Sequence, residues 1–279
     1  MTIEEIKNLC KKYGVYPSRS KGQNFLLCEE ALCEVVEASD IKSKDIVLEI
    51  GPGFGVLTKR IAARAAKAVG VELDGKLYAA AKDILKVYKN VEIINYDILK
   101  LSEEQLKELT GGSYKITANL PYSITGSFLK KFLTLKYKPD LMALMLQKEV
   151  AERICALPGD MSLLSVSAQY YSNPQIVSKV PKECFYPVPE VDSAIVRFEI
   201  KKTENDADEK KFFQIARIGF SARRKMLKNN LFNGFKGMGK EIFIAKIEKI
   251  LQEIGLKNNA RAQDLSVEDW KRLAEKIEI

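Results

Sequence analysis

The stretch DIVLEIGPGFGVLTKRIAARAAKAVGVELD, residues 45–74, decides the fold. A short apolar run, IVLEI, ends at the glycines Gly51, Gly53 and Gly55. A segment with helical spacing follows, and then a second apolar run that closes on Glu72. Strand, glycine turn, helix and strand in that order make a βαβ unit. Glycine lets the chain turn sharply and approach a ligand closely. Alone, such a loop serves a dinucleotide, another nucleotide or simple packing.

The pattern continues outward. VEIINYD, YKITANL and DLMALML read as three further strands, each followed by a helical segment. This alternation implies a parallel sheet covered on both faces. Near Ser172 it changes. QIVSKV and SAIVRFEI are strand-like and joined only by the Pro-rich PKECFYPVPEVD, which predicts an antiparallel pair at the sheet edge. The acidic TENDADEK reads as a linker, and four segments with helical periodicity complete the chain. The expected class is α/β: a Rossmann-like domain over residues 1–203 with a basic N-terminal arm, then a small all-helical domain over residues 204–279.

The chain has 279 residues, 46% of them hydrophobic, enough for a substantial core. Its longest apolar run, LMALML at residues 141–146, is far too short to cross a bilayer, and its first residues lack an apolar signal core. The expectation is a soluble, cytoplasmic monomer with no membrane contact. Five cysteines, an odd number without a CxxC, argue against a disulfide framework and against a zinc site. The absence of histidine excludes a Ser-His-Asp triad, a Cys-His pair and any histidine metal site, and no metal is expected. Net charge is +8, and residues 201–240 carry 11 Lys or Arg against 4 Asp or Glu. Such a cluster is either a solvated surface or a phosphate-facing one.

Acidic residues sit where the strands stop. Glu72 ends the second strand, where a carboxylate can accept both hydroxyls of a ribose. Asp97 ends the third and can accept from an adenine amino group; Glu49 precedes the glycines. The glycine spacing is GxGxG with a proline inside, not the GxGxxG of a pyrophosphate-binding loop. That points away from NAD and toward S-adenosylmethionine, which has no pyrophosphate and carries a sulfonium.

The fourth strand runs into NLPY, Asn119–Tyr122. Alone, this is a proline turn with an asparagine cap. Beside the same cleft it suits transfer to an exocyclic adenine amine, whose lone pair is delocalised into the ring. Acceptors for both N–H groups favour a tetrahedral, partly positive nitrogen. Asn119 offers its side-chain oxygen and Leu120 its backbone carbonyl; Pro121 stiffens the turn, and Tyr122 can stack on the base.

The motifs QNFL, LEIGPGFG, VELD, NYD, NLPY, LQKEVAERI, FYPVPEVDSAIVRF and RRKMLKNNL occur in that order from about residue 17 to the end. Together they resemble the bacterial small-subunit (16S) ribosomal RNA adenine N6-dimethyltransferases. The resemblance implies a class I methyltransferase domain that uses S-adenosylmethionine. It implies dimethylation of two adjacent adenosines in a hairpin near the 3′ end of small-subunit rRNA, within an immature small ribosomal subunit. By motif, Asn24 and Leu26 border the cofactor and Gly51 lies under its methionine part. Glu72 meets the ribose, Asp97 the adenine, and Asn119 lies between donor and target. Phe185 resembles the aromatic that sandwiches the target base against Tyr122; its other reading is an ordinary core ring.

ARRKMLKNNLF places Arg223, Arg224, Lys225 and Lys228 within two helical turns, with Arg224 and Lys228 on one face for RNA phosphates. The arm from Lys11 to Lys21 can clamp RNA over the cofactor. Two other readings stand: a large-subunit rRNA methylase of the macrolide-resistance type, and an RNA-binding assembly factor on an inactive methyltransferase fold.

Overall fold

The computed structural model describes residues 1–17, 22–202, 209–240 and 243–278. Its first element is a helix, α1 (Ile3–Tyr13), whose last turn takes in Lys11 and Lys12 at the start of the expected basic arm. Thr2 and Glu5 cap it reciprocally, and Gly14 closes it in the left-handed conformation. Ile6, Cys10 and Val15 pack with Phe54, Leu77 and Ala80. The apolar stripe, more than the charge, decides this segment. Arg19 and Lys21 lie outside the described residues.

A two-residue strand, β1 (Phe25–Leu26), leads to α2 (Glu29–Ala38). Strands and helices then alternate through β2 (Ile46–Ile50), α3 (Val56–Ala62), β3 (Lys67–Glu72), α4 (Gly75–Leu85) and β4 (Val91–Asn95). They continue through α5 (Glu103–Thr110), β5 (Tyr114–Asn119), α6 (Thr125–Thr134), β6 (Leu141–Gln147) and α7 (Lys148–Ile154). After α8 (Leu163–Tyr171) come β7 (Ser172–Val180), β8 (Phe185–Tyr186) and β9 (Ser193–Ile200).

The main sheet has seven strands in the order β4-β3-β2-β5-β6-β9-β7. The first five in that order run parallel, and β9 and β7 form the expected antiparallel edge. Val35 and Val36 of α2 and Ile61 of α3 share a core cluster with Met145 of β6 and Ile195 of β9. The strand order reverses between β2 and β5, and in open α/β sheets a ligand cleft forms at the carboxyl ends of the strands at such a point.

The short strands make a separate sheet: β1 pairs with β8, Phe25 opposite Tyr186 and Leu26 opposite Phe185. Beside it Cys28 and Cys184 form a disulfide, with Cα atoms 5.0 Å apart. The sequence argued against a disulfide framework; the structure has this one bond, with Cys10, Cys33 and Cys155 free. The two cysteines are 156 residues apart, and only the pairing of β1 with β8 brings them together.

The chain divides into two compact units, residues 1–151 with 172–200 and residues 152–171 with 201–279. The second holds α8 together with α9 (Glu209–Gly219), α10 (Leu227–Gly237), α11 (Ile244–Glu253) and α12 (Val267–Lys276). Residues 152–171, left with the sheet in the sequence division, cluster with these helices. Tyr170 lies 4.4 Å from Phe212 and 5.0 Å from Phe213, ring to ring. Trp270 is fully buried, and a Cβ on Gly219 would come within 2.3 Å of its ring, so α9 needs glycine there. The 203/204 boundary and most of the acidic linker lie outside the described residues. Among the described residues no helix is long and apolar enough to cross a membrane.

Candidate active site

The loop between β2 and α3 builds the floor. Gly51 has a φ of 66°, and a Cβ there would meet nothing within 4 Å. Its open face lines a cavity, while its N–H donates to Val71 O at 2.9 Å. Glu72, at the end of β3, is held from two sides. Gly53 N–H donates to one carboxylate oxygen at 3.1 Å and Asp74 N–H to the other at 3.0 Å. Burial pushes the Glu72 carboxyl up, and these backbone donors pull it back. The loop's Gly53 N–H therefore already serves an anion of the protein's own. A pyrophosphate would meet a carboxylate there, which weighs against a dinucleotide.

Two cavities share Gln23, Gly51, Glu72 and Pro121. The larger, about 520 Å³, is lined by Glu72, Leu73, Tyr96, Asp97, Ile98 and Ile124. Asp97 accepts from Leu99 N–H at 2.9 Å, which fixes its carboxylate. Lys131 of α6 donates to the carbonyls of Ile98 at 3.1 Å and Leu99 at 3.0 Å and so pins that loop, a role the sequence did not suggest. The smaller cavity, about 90 Å³, is lined by Asn24, Leu26, Glu49, Gly51 and Asn119 among others. Asn24 Oδ1 and Glu49 Oε2 are both buried there without a hydrogen-bonding partner. A small pocket bordered by Asn24, Glu49 and Asn119, sharing residues with a larger one bearing Glu72 and Asp97, fits a nucleoside with an amino-acid end.

Asn119 closes β5 at the edge of the small cavity. Its Nδ2 donates to Asn24 O at 2.8 Å. A backbone carbonyl can only accept, so this bond settles the amide orientation and leaves Oδ1 as the free acceptor. Leu120 N–H donates to Met145 O at 3.3 Å, and Pro121 has the φ of −55° that the ring imposes. The Tyr122 hydroxyl and Ser193 Oγ lie 2.6 Å apart. Ser193 is fully buried, and burial raises the Tyr122 phenol, which stays protonated. Nothing in the FxPxPxVDS pattern signalled this tether.

The Phe185 ring is 1% exposed and packs with Leu26, Cys184 and Ile195, the core placement that was the other reading of this ring. The basic residues near α10 meet a different arrangement from the expected one. Arg223, Arg224 and Lys225 are not helical; they lie exposed in the turn before α10, which starts only at Leu227. Buried Asn230 fixes that turn by donating to Gly219 O at 2.6 Å and Ala222 O at 3.0 Å. Lys228 is helical but half-buried, its Nζ 2.6 Å from Glu248 Oε1. It therefore does not share an exposed face with Arg224.

A family model described as ribosomal RNA adenine dimethylase matches residues 18–278. The ribosomal RNA small subunit methyltransferase A of Dehalococcoides mccartyi (strain CBDB1) is 42% identical over 275 residues, 97% of this chain and 92% of the relative. The protein of the same description from Bacillus cytotoxicus is 38% identical over 282 residues, covering 98% and 95% of the two chains. Among solved structures, a dimethyladenosine transferase from Plasmodium falciparum superposes with a TM-score of 0.75 at 25% identity, covering 89% of this chain and 95% of that one. The 23S rRNA methyltransferase ErmE superposes with a TM-score of 0.74 at 24% identity, covering 91% and 99%, a likeness of fold.

Proposed function

The chain belongs to the ribosomal RNA adenine dimethylase family, and on that premise we propose how it acts as a small-subunit rRNA adenine dimethyltransferase. Its substrate is a pair of adjacent adenosines in a hairpin near the 3′ end of the rRNA, each methylated twice on N6. It works as a cytoplasmic monomer on an immature small ribosomal subunit.

S-adenosylmethionine, when bound, supplies the electrophilic methyl group. Asp97 and Glu72 hold its nucleoside in the larger cavity, as adenine and ribose acceptors. Asn24, Leu26, Gly51 and Asn119 border its amino-acid end in the smaller one. Those six residues all line the two joined cavities, which supports the assignment.

The observation that carries the catalytic reading is the bond from Asn119 to Asn24 O, which leaves Oδ1 as an acceptor. Oδ1 and the Leu120 carbonyl take the two N–H groups of the target amine. The nitrogen lone pair is thereby withdrawn from the ring and directed outward. Once alkylated, the nitrogen is acidic and loses its proton to water, so no side-chain base is needed. Tyr122, tied to Ser193, holds the face of the base. The exposed turn Arg223–Lys225 supplies RNA phosphate contacts.

Incubation with labelled S-adenosylmethionine and separated immature subunits tests this. Label in small-subunit RNA, released as dimethyladenosine on digestion, is the expected result. Label in large-subunit RNA assigns the resistance-type activity instead. Binding without label assigns an assembly factor.

A further inference from the structure

Helix α6 begins just after the NLPY turn and is anchored in the core by Phe128, Leu129 and Phe132, each no more than 2% exposed. Lys131 stands on this fixed helix. A lysine usually keeps its ammonium in water. Here the ammonium is committed to the loop after β4. Its Nζ donates to Ile98 O at 3.1 Å, to Leu99 O at 3.0 Å and to Leu101 O. An ammonium has three protons, and these three carbonyls can take them all. Burial lowers the Lys131 ammonium, and the Asp97 charge opposes that shift.

The loop connects this lysine to Asp97 by a short path. Ile98 O and Leu99 N–H belong to one peptide unit; Leu99 O and Lys100 N–H belong to the next. In a trans peptide the carbonyl and the N–H point in opposite directions. On the far side from Lys131, Leu99 N–H donates to the Asp97 carboxylate at 2.9 Å and Lys100 N–H to Asp97 O at 2.9 Å. Two successive peptide units are thus gripped at both ends, by Lys131 through their carbonyls and by Asp97 through their N–H groups. Asp97, Ile98 and Ile124, the residue that precedes α6, line the larger cavity, whereas Lys131 does not.

Resting on the assignment of Asp97 to the donor's adenine, we propose that Lys131 is the positioning residue for selection of the donor base. Through the two peptide units it aims the Asp97 carboxylate at the 6-amino group of a purine, so that the cavity accepts a 6-amino purine and rejects a 6-oxo one. An oxo group offers a lone pair where the amine offers N–H, and a carboxylate cannot donate to it. A 6-oxo purine does carry a donor at N1. A carboxylate free to swing would accept from that N–H and tolerate the wrong base; a held one does not.

Calorimetry on the whole chain tests this with S-adenosylhomocysteine and S-inosylhomocysteine, which differ only at position 6 and N1 of the base. The wild type is expected to bind the adenine ligand about 10–100-fold more tightly. Lys131→Met keeps the length of the side chain and removes its donors, and the ratio is expected to fall below about threefold. Its KM for S-adenosylmethionine is expected to rise about tenfold with kcat near wild type. Lys131→Arg, which returns donors to the same carbonyls, is expected to recover most of the ratio. Phe132→Leu, beside Lys131 but in the core, is expected to lower the melting temperature and leave the ratio unchanged. A wild-type ratio in folded Lys131→Met overturns the proposal, as does an equal drop in Phe132→Leu. Lys131→Gln, with two donors on a shorter stem, decides the case of a Lys131→Met chain that does not fold: an unchanged ratio in it overturns the proposal as well. Equal binding of the two ligands by the wild type would instead overturn the assignment of Asp97 to adenine.

Discussion

The Asn119 side-chain amide donates to the Asn24 backbone carbonyl at 2.8 Å, across 95 residues of sequence. The amide proposed to receive the target amine is oriented by main chain, not by another side chain. Asn119→Ala should lower kcat by about 10²–10³. Calorimetry with S-adenosylhomocysteine should show affinity close to wild type. Normal turnover in that variant would remove Asn119 from the reaction.

Tyr122 and Ser193 share one hydrogen bond at 2.6 Å, so the two should act as a unit. Tyr122→Phe and Ser193→Ala should each lower kcat/KM modestly, and the double variant should be no worse than either. Tyr122→Ala should be more severe, by about 1–3 kcal/mol of lost stacking. Additive single effects in the cycle would mean that the tether does not position the ring.

The basic residues before and within α10 should separate by function. Replacing Arg223 and Arg224 together with Gln should weaken subunit binding and lower its salt slope by about 2. Lys228→Ala should leave that slope unchanged and cost up to about 1 kcal/mol of stability, because Lys228 is committed to Glu248. The readouts are filter binding across a salt series and thermal melts.

Phe185 is core in this form, 1% exposed. Phe185→Ala should destabilise the protein by about 3–5 kcal/mol. A variant with an unshifted melt and a defect confined to base binding would restore the stacking role read from its motif.

Glu49 makes the donor-free protein pH-sensitive. Its folded carboxyl titrates at about 8, above the ordinary 4.5, so between those values the folded state binds more protons than the unfolded one. Its contribution is greatest below about pH 4.5 and is lost as pH rises toward 8, at up to about 1.4 kcal/mol per pH unit. Glu49→Gln should therefore melt higher than wild type at pH 8, with the gap closing toward pH 5.

Much of this was legible in sequence because it rests on local patterns. The runs that become β2, β3, β5 and β6 are apolar and short, and Glu72, Asp97 and Asn119 sit at or just past strand ends, where the cleft had to be. The rest depends on partners remote in the chain. Two-residue strands have no period to read, so the pairing of Leu26 with Phe185 was not legible, and the sequence left that ring open between stacking on a base and an ordinary core place. The helical spacing expected over Arg223–Lys228 holds only from Leu227 on; at Arg223–Lys225 the backbone turns, tied by Asn230, a contact with Gly219 and Ala222 that no local pattern shows.

The bond between Cys28 and Cys184 closes residues 28–184 into a covalent circle that contains every strand from β2 to β7. Within that circle a single peptide bond is dispensable to the molecule's continuity. A protease cutting at Leu157, 75% exposed, would open the circle without releasing a fragment. On a denaturing gel the nicked chain would run as one species until a reductant is added, and as two thereafter.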